Sequence, residues 1–523
     1  MKLKLLALSF VVISANIVLC QEEINRWHLL DVNEDKKPGV SHAQALEIVE
    51  GKKAQSVIVA VIDGGIDTNH IDLRANLWVN EDEIRNNGID DDGNGYIDDI
   101  YGWNFIGGDD GNVEMETMEL TRMYRKLKFM KWEGKLQKDS EQWSEYESLK
   151  KEYNEGFDAA KVEYAEIDQI YKVVMEYHAA VSEQLGKEDY SLNEVKNIKS
   201  ADEKLSEAAE VMTLLLKDGL DFGLLEEYHE SLENEVKFYY NLEFNPRDIV
   251  GDDPDNFLDT IYGNNDVMGK RSDHGTHVSG IIGAVRDNNE GIDGIAMNVQ
   301  LMTLRAVPDG DERDKDVALA IRYAVNNGAD IINMSFGKYF SPNSIEVQEA
   351  IAYAEKHEVI MVHAAGNEAK NIDEELHFPT QPFQASNQEN KYWIEVGASA
   401  PYKNKYMVAE FSNYGKNTVD IYAPGVDIYS CKPGSKYESS SGTSMAAPVV
   451  SGVVALLLNY YPEIDRSRIK DLVLNSGIDY SKQKVFLPNE ENGKPPKVRM
   501  GELSNSGKII NAAELLRMAN ETM

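Results

Sequence analysis

The sequence predicts an α/β fold in which a mostly parallel sheet is flanked by helices and interrupted by one large α-helical insertion. Two observations support this fold class. Buried-strand runs alternate with amphipathic helical runs, which is typical of a parallel sheet with helices on both faces. Residues 112–250 contain little glycine or proline, and their apolar residues recur at helical spacing. We therefore expect several long helices inside an otherwise alternating chain.

The elements of the alternating part follow from its apolar runs. The expected strands are 57–62, 299–304, 331–334 and 359–362. The expected helices are 317–327, 345–356 and 445–458. Within the helical stretch, breaks are expected near Gly156, Gly186 and Asn245–Pro246. This pattern divides the chain into a lead-in at 21–55, an α/β domain at 56–111 and 266–523, and a helical insertion at 112–265.

The composition limits the classes of protein that this chain can belong to. It is 42% hydrophobic and 9% aromatic, which excludes a mostly disordered protein and a polytopic membrane protein. There are 53 basic and 90 acidic residues, so the net charge is −37. Such a chain is repelled by phosphate backbones, and we expect no nucleic-acid partner. The acidity fits an extracellular or salt-tolerant protein, a calcium binder or an acidic helical region, and composition does not choose among these.

Residues 1–20 have the pattern of a secretory signal peptide. Two early lysines precede an apolar run at 5–19, which is too short for a comfortable membrane span. Two kinds of processing remain open: simple cleavage before Gln21, or lipidation of Cys20 with anchoring in the cell envelope. We expect an exported protein, secreted or periplasmic in the first case, with no transmembrane span after processing. The other cysteine, Cys431, then has no partner for an intramolecular disulfide. In the lead-in, residues 27–30 (WHLL) are expected to pack on the core.

Three short segments carry side chains suited to nucleophilic catalysis. Asp63 ends a buried strand in 61–67 (VIDGGID), and His274 opens a helix in 273–280 (DHGTHVSG). Ser444 lies in 440–448 (SSGTSMAAP), before a helical run whose N-terminus favours developing negative charge. Each segment alone has an alternative interpretation. Asp63 has that of an ordinary strand-ending aspartate, and Ser444 that of a plain helix cap. For His274 it is a zinc-binding pair with His277, which the lack of a following HExxH glutamate disfavours.

Taken together, in the order Asp, His, Ser and each flanked by glycine, the three segments resemble the subtilisin-like serine protease family. The resemblance covers roughly 50–111 and 266–523. It implies a subtilisin-like fold with the helical insertion between the Asp and His motifs. It also implies that Ser444 is the nucleophile, that His274 is the general base and acid, and that Asp63 orients the imidazole. Gly64 departs from the family, whose members usually have a small hydroxyl residue there.

The resemblance extends to the oxyanion site and the substrate-binding segments. Residues 363–368 (HAAGNE) are similar to the family segment that supplies an oxyanion-hole asparagine, here Asn367, with the Ser444 N–H as second donor. Residues 332–338 (INMSFGK) resemble the strand that pairs with substrate. The implied walls of the P1 pocket are Ser335, Phe336 and Gly337 on one side and Ala364, Ala365 and Gly366 on the other.

The second wall consists of small residues, so we expect broad specificity with a preference for bulky or apolar P1 side chains. Lys338 stands where many family members have glycine. We expect its side chain either to face solvent or to favour acidic residues in a subsite, with solvent the simpler expectation.

An acidic loop at 90–99 (DDDGNGYIDD) predicts structural calcium. Asp90, Asp92 and Asn94 occupy positions 1, 3 and 5 of a calcium loop, with a glycine at position 6. The glutamate expected at position 12 is absent, so Asp98 or its neighbour Asp99 would complete the shell. The alternative is a solvated acidic turn. A second calcium site, which joins Asp72 to residues 287–289, is implied only by the family resemblance.

The expected function is that of an exported serine endopeptidase acting on peptide or protein substrates through an acyl-enzyme. The alternative is a catalytically silent scaffold that keeps the fold and binds through its insertion. For the helices of 112–265, two roles stay open: a decoration that packs its own apolar stripes, or an arm that contacts substrate or a partner protein.

Overall fold

The computed structural model describes residues 26–381, 390–489 and 495–522. The predicted signal peptide, with Cys20, lies outside these residues. The chain divides into two compact units. One contains residues 26–119 and everything described after 244, and the other is Leu120–Phe244.

The first unit is built on a nine-stranded sheet, and three two-stranded sheets accompany it. The strands are β1 Val57–Asp63, β2 Gly102–Asn104, β3 Gly107–Gly108, β4 Gly111–Asn112, β5 Val299–Arg305, β6 Ile331–Met334, β7 Ile360–Ala364, β8 Trp393–Ser399, β9 Ile421–Pro424, β10 Ile428–Lys432, β11 Lys436–Ser440, β12 Ile478–Asp479, β13 Lys484–Phe486, β14 Lys497–Arg499 and β15 Lys508–Ile509. The order in the large sheet is β12-β15-β9-β8-β7-β6-β1-β5-β2. Every pair in it is parallel except β12 with β15.

The helices of the chain follow the predicted alternation. They are α1 His42–Ile48, α2 Glu119–Trp132, α3 Glu141–Leu185, α4 Leu192–Lys196, α5 Glu203–Lys217, α6 Phe222–Asn234, α7 Asp273–Gly283, α8 Asp314–Asn326, α9 Ser344–Lys356, α10 Thr443–Tyr460, α11 Ile469–Ser476 and α12 Ala512–Thr522. Short 3₁₀ turns cover Trp27–Leu29, Pro246–Ile249, Arg466–Arg468 and Met500–Glu502, and a π turn covers Glu235–Tyr239. The predicted fold class, a mostly parallel sheet with flanking helices and a helical insertion, is confirmed.

The core of the sheet unit explains why its strands read as continuous apolar runs. β1 lies between β5 and β6 and is buried along almost its whole length. A strand covered on both faces needs apolar side chains on both, so no alternation is expected. The lead-in packs on this core as predicted, because Trp27 is buried and its indole N–H donates to the Val426 carbonyl at 2.9 Å.

The Leu120–Phe244 unit is helical and has its own apolar cluster. Val181, Tyr190, Val195, Ala208 and Met212 are buried members of that cluster. The expected helix end at Gly186 is confirmed, since this glycine adopts φ 71° as the C-cap of α3.

The expected break at Gly156 is wrong, because α3 continues through it. At Gly156 a Cβ would lie 2.5 Å from the Tyr240 hydroxyl, so close packing, and not a helix end, requires this glycine. The compact helical unit is also shorter than 112–265. Asn112 pairs within the sheet unit, and Arg247 binds Asp316 of α8 through a bidentate ion pair.

Among the described residues, one helix, α10, is long and apolar enough to cross a membrane. Of its apolar window, 89% is buried inside the protein. Its hydrophobicity therefore matches its position as the central helix of the core.

Candidate active site

Asp63 and His274 meet at the carboxyl end of the central strand. His274 Nδ1 lies 2.9 Å from Asp63 Oδ2 and 3.0 Å from Oδ1. Asp63 is 3% exposed, and Oδ1 accepts the Gly64 N–H at 2.7 Å. A backbone donor thus serves the carboxylate where the family usually offers a hydroxyl residue. The contact requires glycine at 275, since a Cβ there would lie 2.2 Å from the Gly65 carbonyl oxygen.

The two histidines of the second motif have opposite environments. The His274 side chain is 44% exposed at the start of α7. Desolvation disfavours its charged form, but the charge and hydrogen bond of Asp63 outweigh this and raise the pKa of His274 above 6.5. His277 is buried, and its Nε2 lies 3.1 Å from the Glu438 carbonyl oxygen. Burial lowers the pKa of His277 to about 3, so it is a neutral core residue.

Ser444 is the second residue of α10, and α10 packs directly against α7, which carries His274. The Ser444 hydroxyl donates to the Ser335 carbonyl at 3.0 Å, and the Ser335 hydroxyl donates to the Ser444 carbonyl at 3.0 Å. Backbone N–H groups in the first turn of a helix have no intrahelical acceptor. The N–H groups of Thr443, Met445 and Ala446 are bonded to Asn367 and Gly442. The helix therefore presents the Ser444 hydroxyl and the Ser444 N–H at one place.

Asn367 is held by the residue before the serine. Its Oδ1 accepts the Thr443 backbone N–H at 2.8 Å and the Thr443 hydroxyl at 3.0 Å. That hydroxyl also accepts the Gly366 N–H at 3.1 Å. A Cβ built on Gly442 would lie 3.5 Å from the Ser444 N and 3.6 Å from Asn367 Nδ2. Both donors therefore border one small space, as an oxyanion site requires.

The predicted substrate walls lie side by side, because β6 and β7 pair in parallel with Met334 opposite His363. Four wall residues are buried and two are half-buried. The buried ones are Ser335, Ala364, Ala365 and Gly366, and the half-buried ones are Phe336 and Gly337. Lining residues of an open pocket would be accessible, so the space between the walls is largely filled.

The side chain of His377 fills that space. A Cβ on Gly337 would lie 2.2 Å from His377 Cε1, and a Cβ on Gly366 would lie 3.0 Å from His377 Nε2. The ring is 6% exposed. The expectation of a bulky or apolar P1 side chain considered the walls alone and did not include His377 between them.

Lys338 does not face solvent, and both sequence expectations for it are wrong. It is 4% exposed, and its Nζ lies 2.9 Å from Glu119 Oε2 and 2.9 Å from Asp314 Oδ1. It also donates to the Glu312 carbonyl at 2.7 Å. The Lys338 ammonium group is paired with these buried acceptors, so it does not contribute a positive charge to a substrate subsite.

The sequence reasoning missed a buried group behind the pocket. His363 and Glu395 are opposite each other on β7 and β8, with Nδ1 2.8 Å from Oε1. His377 lies beside them. A ring nitrogen of each histidine and a carboxylate oxygen of Glu395 lie within 4.8 Å of one another. The Trp393 indole N–H donates to the second carboxylate oxygen at 2.9 Å. A sequence offers little signal for this group, since its members are spread over three segments.

The acidic loop brings together only some of its predicted ligands. Carboxylate oxygens of Asp92, Glu83 and Asp99 lie within 4.8 Å of one another, and the Asn94 amide donates to both aspartates at 3.0 Å. Desolvation, reinforced by the charge of Asp92, raises the pKa of Asp99 despite its hydrogen bonds. Clustered carboxylate oxygens are the ligands that Ca²⁺ prefers, so Asp92 and Asp99 fit a calcium ion. Glu83 lies with them, but its two oxygens also accept backbone N–H groups at 2.7 to 3.2 Å.

The oxygens of the other three predicted loop ligands accept backbone N–H groups. The Asn94 amide oxygen accepts that of Tyr96 at 2.7 Å. Asp90 accepts the N–H groups of residues 93, 94 and 95, at 2.8, 3.1 and 2.8 Å. Asp98 accepts those of residues 87 and 88, at 3.1 and 2.9 Å. Both carboxylates therefore shape the loop.

Asp72 does meet the loop after α7, as the family resemblance implies. Its Oδ1 accepts the Asn288 amide at 2.5 Å, and its Oδ2 accepts the Ile292 N–H at 3.1 Å and the Tyr437 hydroxyl at 3.0 Å. Three protein donors satisfy this buried carboxylate here.

Comparison with known proteins agrees with this geometry. A thermophilic serine proteinase of Bacillus sp. (strain AK1) is 39% identical over 202 residues, covering 38% of this chain and 45% of that protein. The major intracellular serine protease of Bacillus subtilis (strain 168) is 37% identical over 221 residues, covering 41% of this chain and 64% of that protein. Subtilisin DY of Bacillus licheniformis is 34% identical over 200 residues, covering 38% of this chain and 68% of that protein. The first two matches span about half to two thirds of those relatives' own length.

The model of the subtilase family (Peptidase_S8) matches residues 54–495. That match includes the Asp63–His274 pair, Asn367 and Ser444, and it extends over more than half of the sequence. The chain belongs to the subtilase family.

Proposed function

We propose that this chain is a serine endopeptidase that hydrolyses peptide bonds through an acyl-enzyme. The observation that carries the proposal is the buried Asp63 carboxylate bonded to His274, beside a helix whose second residue is Ser444. A serine hydroxyl becomes a nucleophile only with an oriented base next to it. The raised pKa of His274 makes its ring a ready acceptor for the serine proton.

In the proposed reaction, the Ser444 hydroxyl turns from the Ser335 carbonyl to His274 Nε2 and attacks the peptide carbonyl carbon. His274 takes the proton while Asp63 stabilises the imidazolium. The N–H of Ser444 and Nδ2 of Asn367 hold the oxyanion. His274 then gives the proton to the leaving amine, and water, deprotonated by the same ring, releases the acyl group from Ser444.

Hydrolysis of casein by the purified protein tests this proposal. We expect release of acid-soluble peptides by the wild type and none above background by Ser444→Ala. Ser451→Ala, a buried serine farther along α10, is the matched control and should remain active. Equal release by wild type and Ser444→Ala would contradict the proposal, and no release by either would favour the silent scaffold.

We also propose that the protein is exported through residues 1–20. The apolar run at 5–19 supports this. Expression of the complete sequence, followed by mass spectrometry of the N-terminus, should show loss of these residues. A lipid mass on Cys20 that disappears in Cys20→Ser would assign the anchored form, and an intact Met1 would contradict export.

The third proposal concerns a structural calcium ion at the acidic loop. Glu83, Asp92 and Asp99 would hold it, with no part in the reaction itself. The support is the convergence of three carboxylates within 4.8 Å.

For the helical unit we propose contact with protein substrates. Trp132 at the end of α2 is 80% exposed, and its ring lies 5.7 Å from that of the exposed Phe129. Exposed aromatic pairs bind apolar segments well. Trp132→Ala should raise KM for casein without changing KM for a tetrapeptide, whereas Leu224→Ala, an exposed apolar control, should change neither. An unchanged KM for casein in Trp132→Ala would contradict this proposal.

A further inference from the structure

The side chain of His377 stands where a P1 side chain would enter, and its position is fixed from several sides. Its Cε1–Nε2 edge lies between Gly337 and Gly366, which face it from opposite walls. The ring packs edge-on against Tyr339, with centroids 5.3 Å apart, and at 5.5 Å from the ring of His363.

His363 is itself held on both sides, so it supports His377 rigidly. Its Nδ1 lies 2.8 Å from Glu395 and its Nε2 lies 2.9 Å from the Phe336 carbonyl oxygen. A well-packed ring cannot swing aside without leaving a void or displacing neighbours. His377 is therefore a fixed floor for the pocket.

The Gly366 side of the pocket is closed by a second set of polar groups. A Cβ on Gly366 would lie 2.3 Å from Asn413 Nδ2 and 2.8 Å from Glu368 Oε2. The Glu368 oxygen already accepts the Tyr339 hydroxyl at 2.6 Å and the Asn413 amide at 2.8 Å. These groups satisfy one another, so a substrate side chain would have to break their hydrogen bonds to enter.

The charge of the pocket argues against an acidic P1 residue. Burial, assisted by the nearby His363, lowers the pKa of His377 to about 4, so the ring is neutral at pH 7. The Glu368 carboxylate adds a negative charge beside it. An acidic side chain would therefore meet two carboxylates, Glu368 and Glu395, against one ammonium group, that of Lys370.

We propose that His377 determines specificity by filling the P1 pocket, so that the enzyme cleaves after residues with small side chains, namely glycine, alanine and serine. This inference rests on the proposed peptidase activity. His377 does not take part in the chemistry; it limits the volume that the substrate side chain can occupy. Replacing it with glycine removes the floor and opens space between Gly337 and Gly366.

Two tetrapeptide p-nitroanilides that differ only at P1, alanine or phenylalanine, test the proposal. For the wild type we expect kcat/KM to favour alanine by about tenfold or more, since steric misfit in a pocket has effects of this size. In His377→Gly the value for phenylalanine should rise by about tenfold while the value for alanine changes little. His357→Gly, an exposed histidine at the end of α9, is the matched control and should keep the wild-type ratio.

A fluorophosphonate that labels the active serine separates failure of this inference from failure of the proposed function. Labelled wild type that prefers phenylalanine, or a labelled His377→Gly with an unchanged ratio, would overturn the role of His377 and leave the peptidase intact. Wild type that is not labelled would overturn the peptidase proposal, and this inference with it. His377→Ser, which keeps a polar side chain, should relax the preference in the same direction if the glycine variant does not fold.

Discussion

The amide oxygen of Asn367 accepts two hydrogen bonds from Thr443, one from its backbone N–H at 2.8 Å and one from its hydroxyl at 3.0 Å. Thr443 immediately precedes the nucleophile candidate, so one residue ties the asparagine to the start of α10. Because the oxygen is engaged, Nδ2 is the atom left to face the space beside Gly442. The two proposed oxyanion donors, Asn367 Nδ2 and the Ser444 N–H, therefore lie close together.

This relationship predicts graded losses of activity. Asn367→Ala should lower kcat about 100- to 1,000-fold with little change in KM, as loss of an oxyanion donor does. Thr443→Val keeps the backbone bond but removes the hydroxyl, and should lower kcat about tenfold through poorer orientation. Steady-state kinetics on the alanine tetrapeptide measure both. Wild-type kcat in Thr443→Val would show that the hydroxyl does not position Asn367.

The raised pKa of His274 predicts where activity is lost in acid. The neutral ring is the base, so kcat/KM should fall as the pH drops through the pKa of His274, with a midpoint above 6.5. Asp63→Asn removes the charge that raises this pKa, so the midpoint should move to lower pH and kcat should fall about 10,000-fold. A rate profile from pH 4 to 9 measures this.

Asp273→Asn is the control for that profile, because Asp273 is exposed and contributes least to the shift. Its midpoint should stay close to that of the wild type. The interaction of His274 with Asp63 also stabilises the folded state. This contribution to the free energy of unfolding is fully present below pH 6.5 and is lost as the pH rises through the pKa of His274 in the folded protein. An acid midpoint in Asp63→Asn equal to that of the wild type would contradict the electrostatic role of Asp63.

The burial of Lys338 predicts a stability effect. Lys338→Met leaves the buried carboxylates of Glu119 and Asp314 without their shared cation, which should lower the free energy of unfolding by about 3 to 5 kcal/mol. Chemical denaturation measures it. Lys403→Met, at an exposed lysine, should be neutral within about 0.5 kcal/mol. Equal stability of the two variants would contradict the buried network.

The convergence of carboxylates at the acidic loop predicts a calcium-dependent melting temperature. Chelation should lower the Tm of the wild type, because a ligand bound only to the folded state stabilises it. Glu83→Gln or Asp99→Asn should have a lower Tm that no longer responds to the chelator. Asp82→Asn, at an exposed neighbour, should respond like the wild type. A wild-type Tm that is indifferent to both chelator and added calcium would refute the site.

Parts of the site were predictable because their signals are local. Asp63 ends a strand, and His274 and Ser444 each lie in the first turn of a helix, so each has a recognisable sequence motif of a few residues. The fold class was also predictable from local patterns, because apolar residues are spaced differently along buried parallel strands and along amphipathic helices.

The remaining features depend on contacts between distant segments. From the sequence alone, Lys338 is expected at the surface. In the folded protein it forms ion pairs with Glu119 and Asp314. His377 belongs to no sequence motif, and its proposed role depends on the fold, which places Gly337 and Gly366 next to it. Glu83 is a candidate calcium ligand because the fold brings its carboxylate close to that of Asp99. The ligand spacing of known calcium loops does not predict this contact.

The central claim is that Ser444 is a nucleophile activated by His274, and covalent labelling tests it most directly. A fluorophosphonate should modify the wild type at one site per chain, and peptide mass spectrometry should place the adduct on Ser444. His274→Ala should slow the labelling about 1,000-fold or more, since removing the base disables the nucleophile. An adduct on another residue, or labelling of Ser444→Ala at the wild-type rate, would contradict the account.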